Sequence, residues 1–204
     1  LLQASGFEVL SEESGIADIA WPITDDRLLV VVDPLDGSTN ASKGLPWFAT
    51  SLCVVDRHGL RAALVAEQSG SETRYGASRG GGANRDGIPV RVNPLADVSQ
   101  AVVGTNGAPP YPHGWWQFRT LGAAALDISL VATGGLDGYV DFHDHGVWDY
   151  LAAVLICQEA GAIVGEVDGK ELLTIDPLAR RSPVVASSQA LFDSLLDTAR
   201  ANRH

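Results

Sequence analysis

Short aliphatic runs recur along the chain and are separated by turn residues. Residues 28–32 form an unbroken, largely β-branched run, which is typical of a strand buried on both faces. A smaller apolar run ends shortly before Glu12, which predicts a strand that leads into an acidic loop. Further strands are predicted at residues 47–56, 60–67, 73–78, 88–92, 101–105, 139–142, 162–167 and 184–186.

Helical spacing of apolar residues is found mainly in the second half of the chain. In residues 116–133 apolar side chains recur every three or four positions and glycines follow, which predicts one helix over this stretch. A second helix is predicted to begin near Asp149 and to end at Gly161, and residues 191–199 predict a closing amphipathic helix. Strands mixed with helices predict an α/β fold in which helices cover mixed sheets.

Composition excludes several classes of protein. The 204 residues include 25 acidic and 14 basic side chains, so a net charge of −11 argues against a nucleic-acid backbone or an anionic membrane as the partner. The apolar runs are far shorter than the roughly 20 residues of a membrane span. Cys53 and Cys157 lie far apart in apolar stretches, which predicts no disulfide framework and favours a cytoplasmic location.

Carboxylates occur where several predicted elements end or begin. Glu12 and Glu13 follow the first strand, Asp33 and Asp36 flank the exit of the buried strand, and Asp149 begins a helix. If these ends converge, the carboxylates repel one another unless a cation lies between them, and Mg²⁺ prefers such oxygen ligands. The pattern therefore indicates a metal site.

A phosphate site is predicted beside these carboxylates. Gly37 and Ser38 start a short helix, where free N–H groups and the helix dipole favour an anion. Cations next to a phosphate neutralise its oxygens and lower the pKa of a bound water. The combination indicates metal-assisted hydrolysis of a phosphate ester.

Three ordered motifs carry a resemblance to a known family. Residues 12–14 (EES), 33–40 (DPLDGSTN) and 148–153 (WDYLAA), followed by residues 159–161 (EAG), resemble the signatures of the inositol monophosphatase family. The resemblance runs along the whole chain. It implies a layered α-β-α-β sandwich of the inositol monophosphatase and fructose bisphosphatase type, and a lithium-sensitive, homodimeric, Mg²⁺-dependent phosphatase.

The resemblance also implies a set of metal ligands. Glu12, Asp33 and the carbonyl of Leu35 would hold the first Mg²⁺, and Asp33, Asp36 and Asp149 the second. Family members carry about two further helices and another metal-binding aspartate before the point where this sequence begins. Because the sequence contains no methionine, we expect it to continue upstream, so two or three Mg²⁺ ions are expected.

Catalytic roles follow from the same resemblance. Ser38 takes the position of a threonine that orients the attacking water together with the glutamate matching Glu12, and Asp36 is the third expected catalytic residue. Gly37 and Ser38 would bind the phosphate through their N–H groups. Water would attack directly, without a covalent intermediate. We expect residues 1–108 to bind metal and phosphate, and residues 109–204 to complete the active site.

The substrate is less narrowly defined by the resemblance. The polyol is expected against residues 119–124 and against Asp141. Three departures from the family pattern lie here: Ala123 replaces a usual hydroxyl residue, Asp141 stands where glutamate is common, and residues 141–149 are one position longer. myo-Inositol monophosphate is the first candidate substrate. Histidinol phosphate, fructose 1,6-bisphosphate, 3′-phosphoadenosine 5′-phosphate and a non-catalytic, metal-binding interaction protein remain alternatives. The implied substrate contacts are Asp36, Gly122, Ala124, Asp141 and Asp149.

Each motif also has a purely structural interpretation. Asp33 and Asp36 alone are typical of a turn with a side-chain cap, and Asp149 alone of a helix N-cap. The histidines of residues 143–145 are typical of a solvated acidic loop, and residues 80–82 of a hairpin. The tryptophans at 115–116 are expected to pack rather than to stack on a ligand.

Overall fold

Two mixed β-sheets form the framework in the computed structural model, which describes residues 7–13 and 22–202. In the first sheet the seven strands lie in chain order, and only β1 and β2 pair in parallel. The strands of this sheet are β1 (Glu8–Ser11), β2 (Leu29–Asp36), β3 (Ala49–Asp56), β4 (Gly59–Glu67), β5 (Arg74–Ser78), β6 (Gly82–Arg85) and β7 (Ile88–Val90).

The second sheet has five strands and is formed by the latter half of the chain. Its strands are β8 (Val102–Asn106), β9 (Gln117–Arg119), β10 (Gly138–Asp141), β11 (Ile163–Glu166) and β12 (Pro183–Ala186). They lie in the order β11-β12-β10-β8-β9, so β8 pairs in parallel with both β10 and β9. The carboxyl ends of β8 and β10 therefore meet at one edge of the sheet.

Four α-helices complete the fold within residues 7–13 and 22–202. They are α1 (Ser38–Lys43), α2 (Ala124–Thr133), α3 (Val147–Glu159) and α4 (Gln189–Ala201). Both α2 and α3 contact the two sheets, whereas α4 packs on β10, β11 and β12 of the second sheet. The layers are thus the first sheet, α2 with α3, the second sheet, and α4. The predicted layered α/β sandwich is confirmed.

Alternation of side chains in the second sheet separates two apolar cores. Tyr139 and Val185 point into the core that contains α2 and α3, whereas Val140 and Val184 pack with Leu191 of α4. Successive side chains of a strand face opposite sides of the sheet, so both faces of these strands are buried. Burial on both faces explains why the sequences of β10 and β12 are largely apolar without alternating polar residues.

The predicted helix over residues 116–133 is wrong in its first part. Gln117–Arg119 is strand β9, which pairs with β8, and the helix starts only at Ala124. Gly122 has a φ of +87°, which a right-handed helix does not permit. Local apolar spacing was therefore overridden by strand pairing and by a glycine turn.

Candidate metal and phosphate site

A β-bulge brings two aspartates to the same side of strand β2. Asp33 lies opposite Ser51 and Asp36 opposite Ala49, so β2 has one residue more than β3 in this interval. Residues three apart in a regular strand point to opposite faces, and one inserted residue restores the common face. Asp33 and Asp36 are accordingly both buried, while the residues between them are exposed.

Asp149 joins these two aspartates from the first turn of α3. One ligand atom from each of Asp33, Asp36 and Asp149 lies within 4.8 Å of the others. We call these three residues the carboxylate triad. Oxygen donors at this spacing suit a hard divalent cation such as Mg²⁺. Among the described residues, Glu12 is not part of this 4.8 Å group, although it lies in the same cavity.

The triad residues also have the structural roles expected of their motifs. Asp33 accepts a hydrogen bond from the Leu35 N–H at 2.8 Å, which is the predicted turn. Asp149 accepts one from the Gly146 N–H at 2.9 Å, but Gly146, rather than Asp149, is the N-cap of α3. Asp33 and Asp149 are thus each fixed by a hydrogen bond to a nearby backbone N–H group.

Burial and mutual repulsion raise the pKa values of the triad carboxyl groups. Burial, followed by the charges of Asp149 and Asp33, raises the pKa of Asp36 well above its usual value. Burial also raises the pKa of Asp149 to about 7, and it raises the pKa of Asp33. The pKa of Glu12 is raised by burial and by the charge of Asp33. A cation between these groups would relieve this cost, so the donor set fits a divalent metal.

A cavity of about 210 Å³ lies over the triad. The structure brings all the predicted site residues to its wall except Asp141. The lining residues predicted from the motifs are Glu12, Asp33, Leu35, Asp36, Gly37, Ser38, Gly122, Ala124 and Asp149.

Asp141 lies behind the cavity wall, where it is fully buried at the end of β10. Its Oδ1 accepts hydrogen bonds from Asn106 Nδ2 at 2.9 Å and from the His143 N–H at 3.0 Å. Its Oδ2 lies 2.5 Å from Nδ1 of His145, which lines the cavity. Asp141 therefore reaches the cavity through the imidazole that it holds.

His145 lines the cavity, although residues 143–145 have the sequence of a solvated acidic loop. Burial lowers its pKa, but the hydrogen bond to Asp141 and the nearby aspartate charges raise it overall, to about 9. The imidazole is therefore protonated at neutral pH in the metal-free protein. The other loop histidine, His143, is exposed and lines a separate cavity, so the two histidines do not form a pair.

Asp127 is a further cavity residue without a motif. It is buried in α2 and accepts a hydrogen bond from Trp47 Nε1 at 2.7 Å. Burial raises its pKa to about 7. The sequence signal for Asp127 is a lone carboxylate in a mostly apolar helical stretch, because a buried carboxylate needs polar partners. The other lining residues outside the three motifs are Thr105, Asn106, Thr120, Ala123 and Tyr139.

The remaining motifs have structural roles. Residues 79–81 turn the chain between the paired strands β5 and β6, as predicted for a hairpin. Glu159 of α3 accepts hydrogen bonds from the N–H groups of Gly80 and Gly82 at 2.8 and 2.9 Å. Trp115 is buried and stacks on His113, whereas Trp116 is 62% exposed. The expected packing is therefore found for Trp115 but not for Trp116.

The comparison with known proteins agrees with this fold and site. The sequence profile described as the inositol monophosphatase family matches residues 3–204. This match covers nearly the whole chain, in which the motif residues gather at one cavity. The chain belongs to the inositol monophosphatase family.

Three similar proteins illustrate the range within the family. The Nus factor SuhB of Vibrio cholerae is 34% identical over 179 residues, covering 79% of this chain and 63% of that protein. The fructose-1,6-bisphosphatase of Pyrococcus furiosus is 32% identical over 195 residues, covering 94% and 74%. A hypothetical protein of Pyrococcus horikoshii, described as having similarities to inositol-1 monophosphatase, superposes with a TM-score of 0.84 at 32% identity, covering 96% and 78%.

The chain thus spans less than two thirds of the length of the Vibrio relative. None of the helices within the described ranges, residues 7–13 and 22–202, has the length and apolar character of a membrane span.

Proposed function

We propose that this protein hydrolyses small phosphate monoesters in a Mg²⁺-dependent reaction, with myo-inositol monophosphate as the first substrate. The observation that carries the proposal is the carboxylate triad in the wall of a cavity that Glu12 and Ser38 also line. A buried cluster of like charges is unfavourable for folding alone. A cation bound between the carboxylates would offset this cost.

The proposed metal ligands are Glu12, the carbonyl of Leu35 and the triad. Mg²⁺ ions held there would neutralise the phosphate oxygens and lower the pKa of a bound water. Glu12 and Ser38 orient the attacking water, and the N–H groups of Gly37 and Ser38 hold the phosphate. Asp36 and Asp149 keep the ester close to the metal ligands. Direct attack by water releases the alcohol and inorganic phosphate.

Two alternatives have specific support. Fructose 1,6-bisphosphate is a second candidate substrate because a relative that is 32% identical carries the name fructose-1,6-bisphosphatase. A non-catalytic role is the other, because a relative that is 34% identical carries the name Nus factor SuhB. Histidinol phosphate and 3′-phosphoadenosine 5′-phosphate complete the substrate panel.

The family resemblance leads us to propose further properties. Lithium is expected to inhibit turnover, and the protein is expected to form a homodimer in the cytoplasm. Sedimentation velocity tests the dimer directly, and a lithium titration at fixed Mg²⁺ tests the inhibition.

The main experiment measures phosphate release from myo-inositol 1-phosphate with and without Mg²⁺. Turnover is expected to require Mg²⁺ and to fall by at least about 100-fold in Asp149→Asn, since electrostatic stabilisation of this kind contributes several kcal/mol. Asp144→Asn is the matched control, because Asp144 is an exposed carboxylate five positions away that faces another cavity. No turnover of any panel ester by a folded, Mg²⁺-binding protein would favour the non-catalytic alternative.

A further inference from the structure

One wall of the cavity is polar and contains none of the proposed metal ligands. It is formed where β8 ends and where the chain crosses from β9 to α2. Thr105 Oγ1 and Thr120 Oγ1 share a hydrogen bond of 2.8 Å, and both residues line the cavity together with Asn106 and His145. None of these four residues belongs to the three sequence motifs. We call them the polar wall.

His145 is the most firmly held member of the polar wall. A carboxylate oxygen can only accept a hydrogen bond, so Nδ1 of His145 donates to Asp141 Oδ2 across 2.5 Å. Asp141 is itself fixed by Asn106 and by the His143 N–H. Two partners on a fully buried carboxylate leave the imidazole ring little freedom to rotate.

The opposite edge of the ring is available to a ligand. The His145 side chain is 21% exposed, and Nε2 makes no hydrogen bond to any residue in the described part of the chain. With Nδ1 turned toward Asp141, Nε2 is the polar atom that a molecule in the cavity can reach. A hydroxyl group suits it, because a hydroxyl can both donate and accept.

The remaining chemistry of the cavity favours a neutral leaving group. Within the described residues its lining includes no lysine or arginine, whereas five carboxylates are present. A second phosphate would therefore find no lysine or arginine side chain to pair with among these residues. Threonine hydroxyls, an amide and an imidazole instead match the hydroxyls of a polyol.

We propose that His145, held by Asp141, is a specificity-determining residue that contacts a hydroxyl of the leaving group through Nε2. This inference rests on the proposed phosphatase function. It assigns the preference for hydroxyl-rich alcohols to an imidazole outside the family motifs. His145 acts on substrate choice, and the carboxylate triad acts on every ester alike.

The test compares an ester with hydroxyls and one without. We would measure kcat/KM for myo-inositol 1-phosphate and for phenyl phosphate, whose leaving group carries no further polar group, and take the ratio. His145→Asn keeps a donor near Nδ1 and removes Nε2, and His145→Phe keeps the ring volume without nitrogen. Both variants are expected to lower the ratio by about three- to tenfold, mainly through KM, as for one lost hydrogen bond.

Two further variants separate specificity from structural damage. His145→Gln restores a polar atom near Nε2 and is expected to recover part of the ratio. His143→Asn is the matched control and is expected to keep the wild-type ratio, because His143 faces another cavity. Circular dichroism shows which of His145→Asn and His145→Phe folds. If the kcat/KM ratio of a folded variant equals that of the wild type, the inference is overturned. Absence of Mg²⁺-dependent turnover of both esters by the wild type would instead overturn the proposed function and the inference with it.

Discussion

The carboxylate of Asp36 accepts a hydrogen bond from the backbone nitrogen of Ala125 at 2.8 Å, across 89 residues of sequence. Its other oxygen accepts one from Ala124 at 3.1 Å. Both N–H groups belong to the first turn of α2, whose N-cap, Ala123, makes no side-chain cap. Asp36 therefore caps α2 from strand β2, and one side chain links the carboxylate triad to the helix between the sheets.

This link predicts a stability effect that is separate from activity. Asp36→Ala leaves two buried N–H groups without a partner, so we expect the free energy of unfolding to fall by about 1–3 kcal/mol. Urea unfolding at pH 5 without Mg²⁺ is the measurement, because repulsion within the triad is weak at that pH. Asp33→Ala is the comparison, since Asp33 accepts its backbone bond within its own turn. Equal losses in the two variants would contradict the capping role.

The stability of the metal-free protein is expected to fall as pH rises. Asp149 and Asp127 have folded pKa values of about 7, raised by burial from 3.8, so between pH 4 and 7 the folded state binds more protons than the unfolded state. His145, raised to about 9 from 6.5, extends the same trend to higher pH. Thermal unfolding without divalent ions should therefore give a higher Tm at pH 5.5 than at pH 8.

Mg²⁺ should reverse most of this loss at pH 8. A ligand at 100 times its Kd stabilises the folded state by about 2.7 kcal/mol, which corresponds to a Tm increase of roughly 5–10 °C for a chain of this size. The increase should be much smaller at pH 5.5, where protons compete for the triad. A Tm increase that does not depend on pH would place the bound ion elsewhere.

Gly37 combines a positive φ with close contacts around its Cα. Gly44 has the positive φ alone, so a comparison of the two glycines separates the two effects. Gly37 and Gly44 both have positive φ, +82° and +72°, but a Cβ on Gly37 would lie 3.0 Å from Trp47 O and from Ala123 Cβ, whereas one on Gly44 would meet nothing within 4 Å. Gly44→Ala should cost about 1–2 kcal/mol for backbone strain alone.

Gly37→Ala should destabilise the protein more than Gly44→Ala and should also reduce phosphate release, since Gly37, Ser38 and Ala123 all line the cavity. Chemical unfolding and the inositol phosphate assay measure the two effects. Similar stability and activity in the two variants would show that the close contacts at Gly37 are without consequence.

The hydrogen bond between Trp47 and Asp127 joins the loop before β3 to α2. Trp47→Phe removes the donor and leaves the buried Asp127 carboxyl short of a partner, so unfolding should become easier by about 1–3 kcal/mol. Loss of this hydrogen bond should also raise the Asp127 pKa further above 7. Trp116→Phe is the control, because Trp116 is 62% exposed. Comparable destabilisation by both changes would argue against a special role for the buried pair.

The triad could be predicted because its residues lie in local sequence patterns. The β-branched run before Asp33, the turn around Asp36 and the helix start at Asp149 are each determined by neighbouring residues. Their convergence was inferred from the order of the motifs and from the mutual repulsion of carboxylates. The bulge that turns Asp33 and Asp36 to one side has no sequence signal of its own, because it depends on the register with β3.

Of the polar wall, only Thr120 lies in a segment expected to contact the substrate, residues 119–124, and the other three members depend on strand register. Thr105 and Thr120 meet because β8 and β9 pair in parallel, and His145 joins them because β10 pairs with β8 on the other side. The same pairing explains the error over residues 116–133, where local periodicity favoured helix. Pairing between distant segments outweighs local propensity, and single-sequence patterns do not contain it.

The position of α3 between the two sheets determines how the proposed site responds to thermal motion. Ten of its residues are buried, and its first turn carries Asp149 while its last residue, Glu159, holds the β5–β6 hairpin. A shift of Asp149 would therefore disturb both layers at once. We expect the amides of α3 to exchange with solvent deuterium only through global unfolding, so metal-binding geometry and the folded state should be lost in one cooperative step.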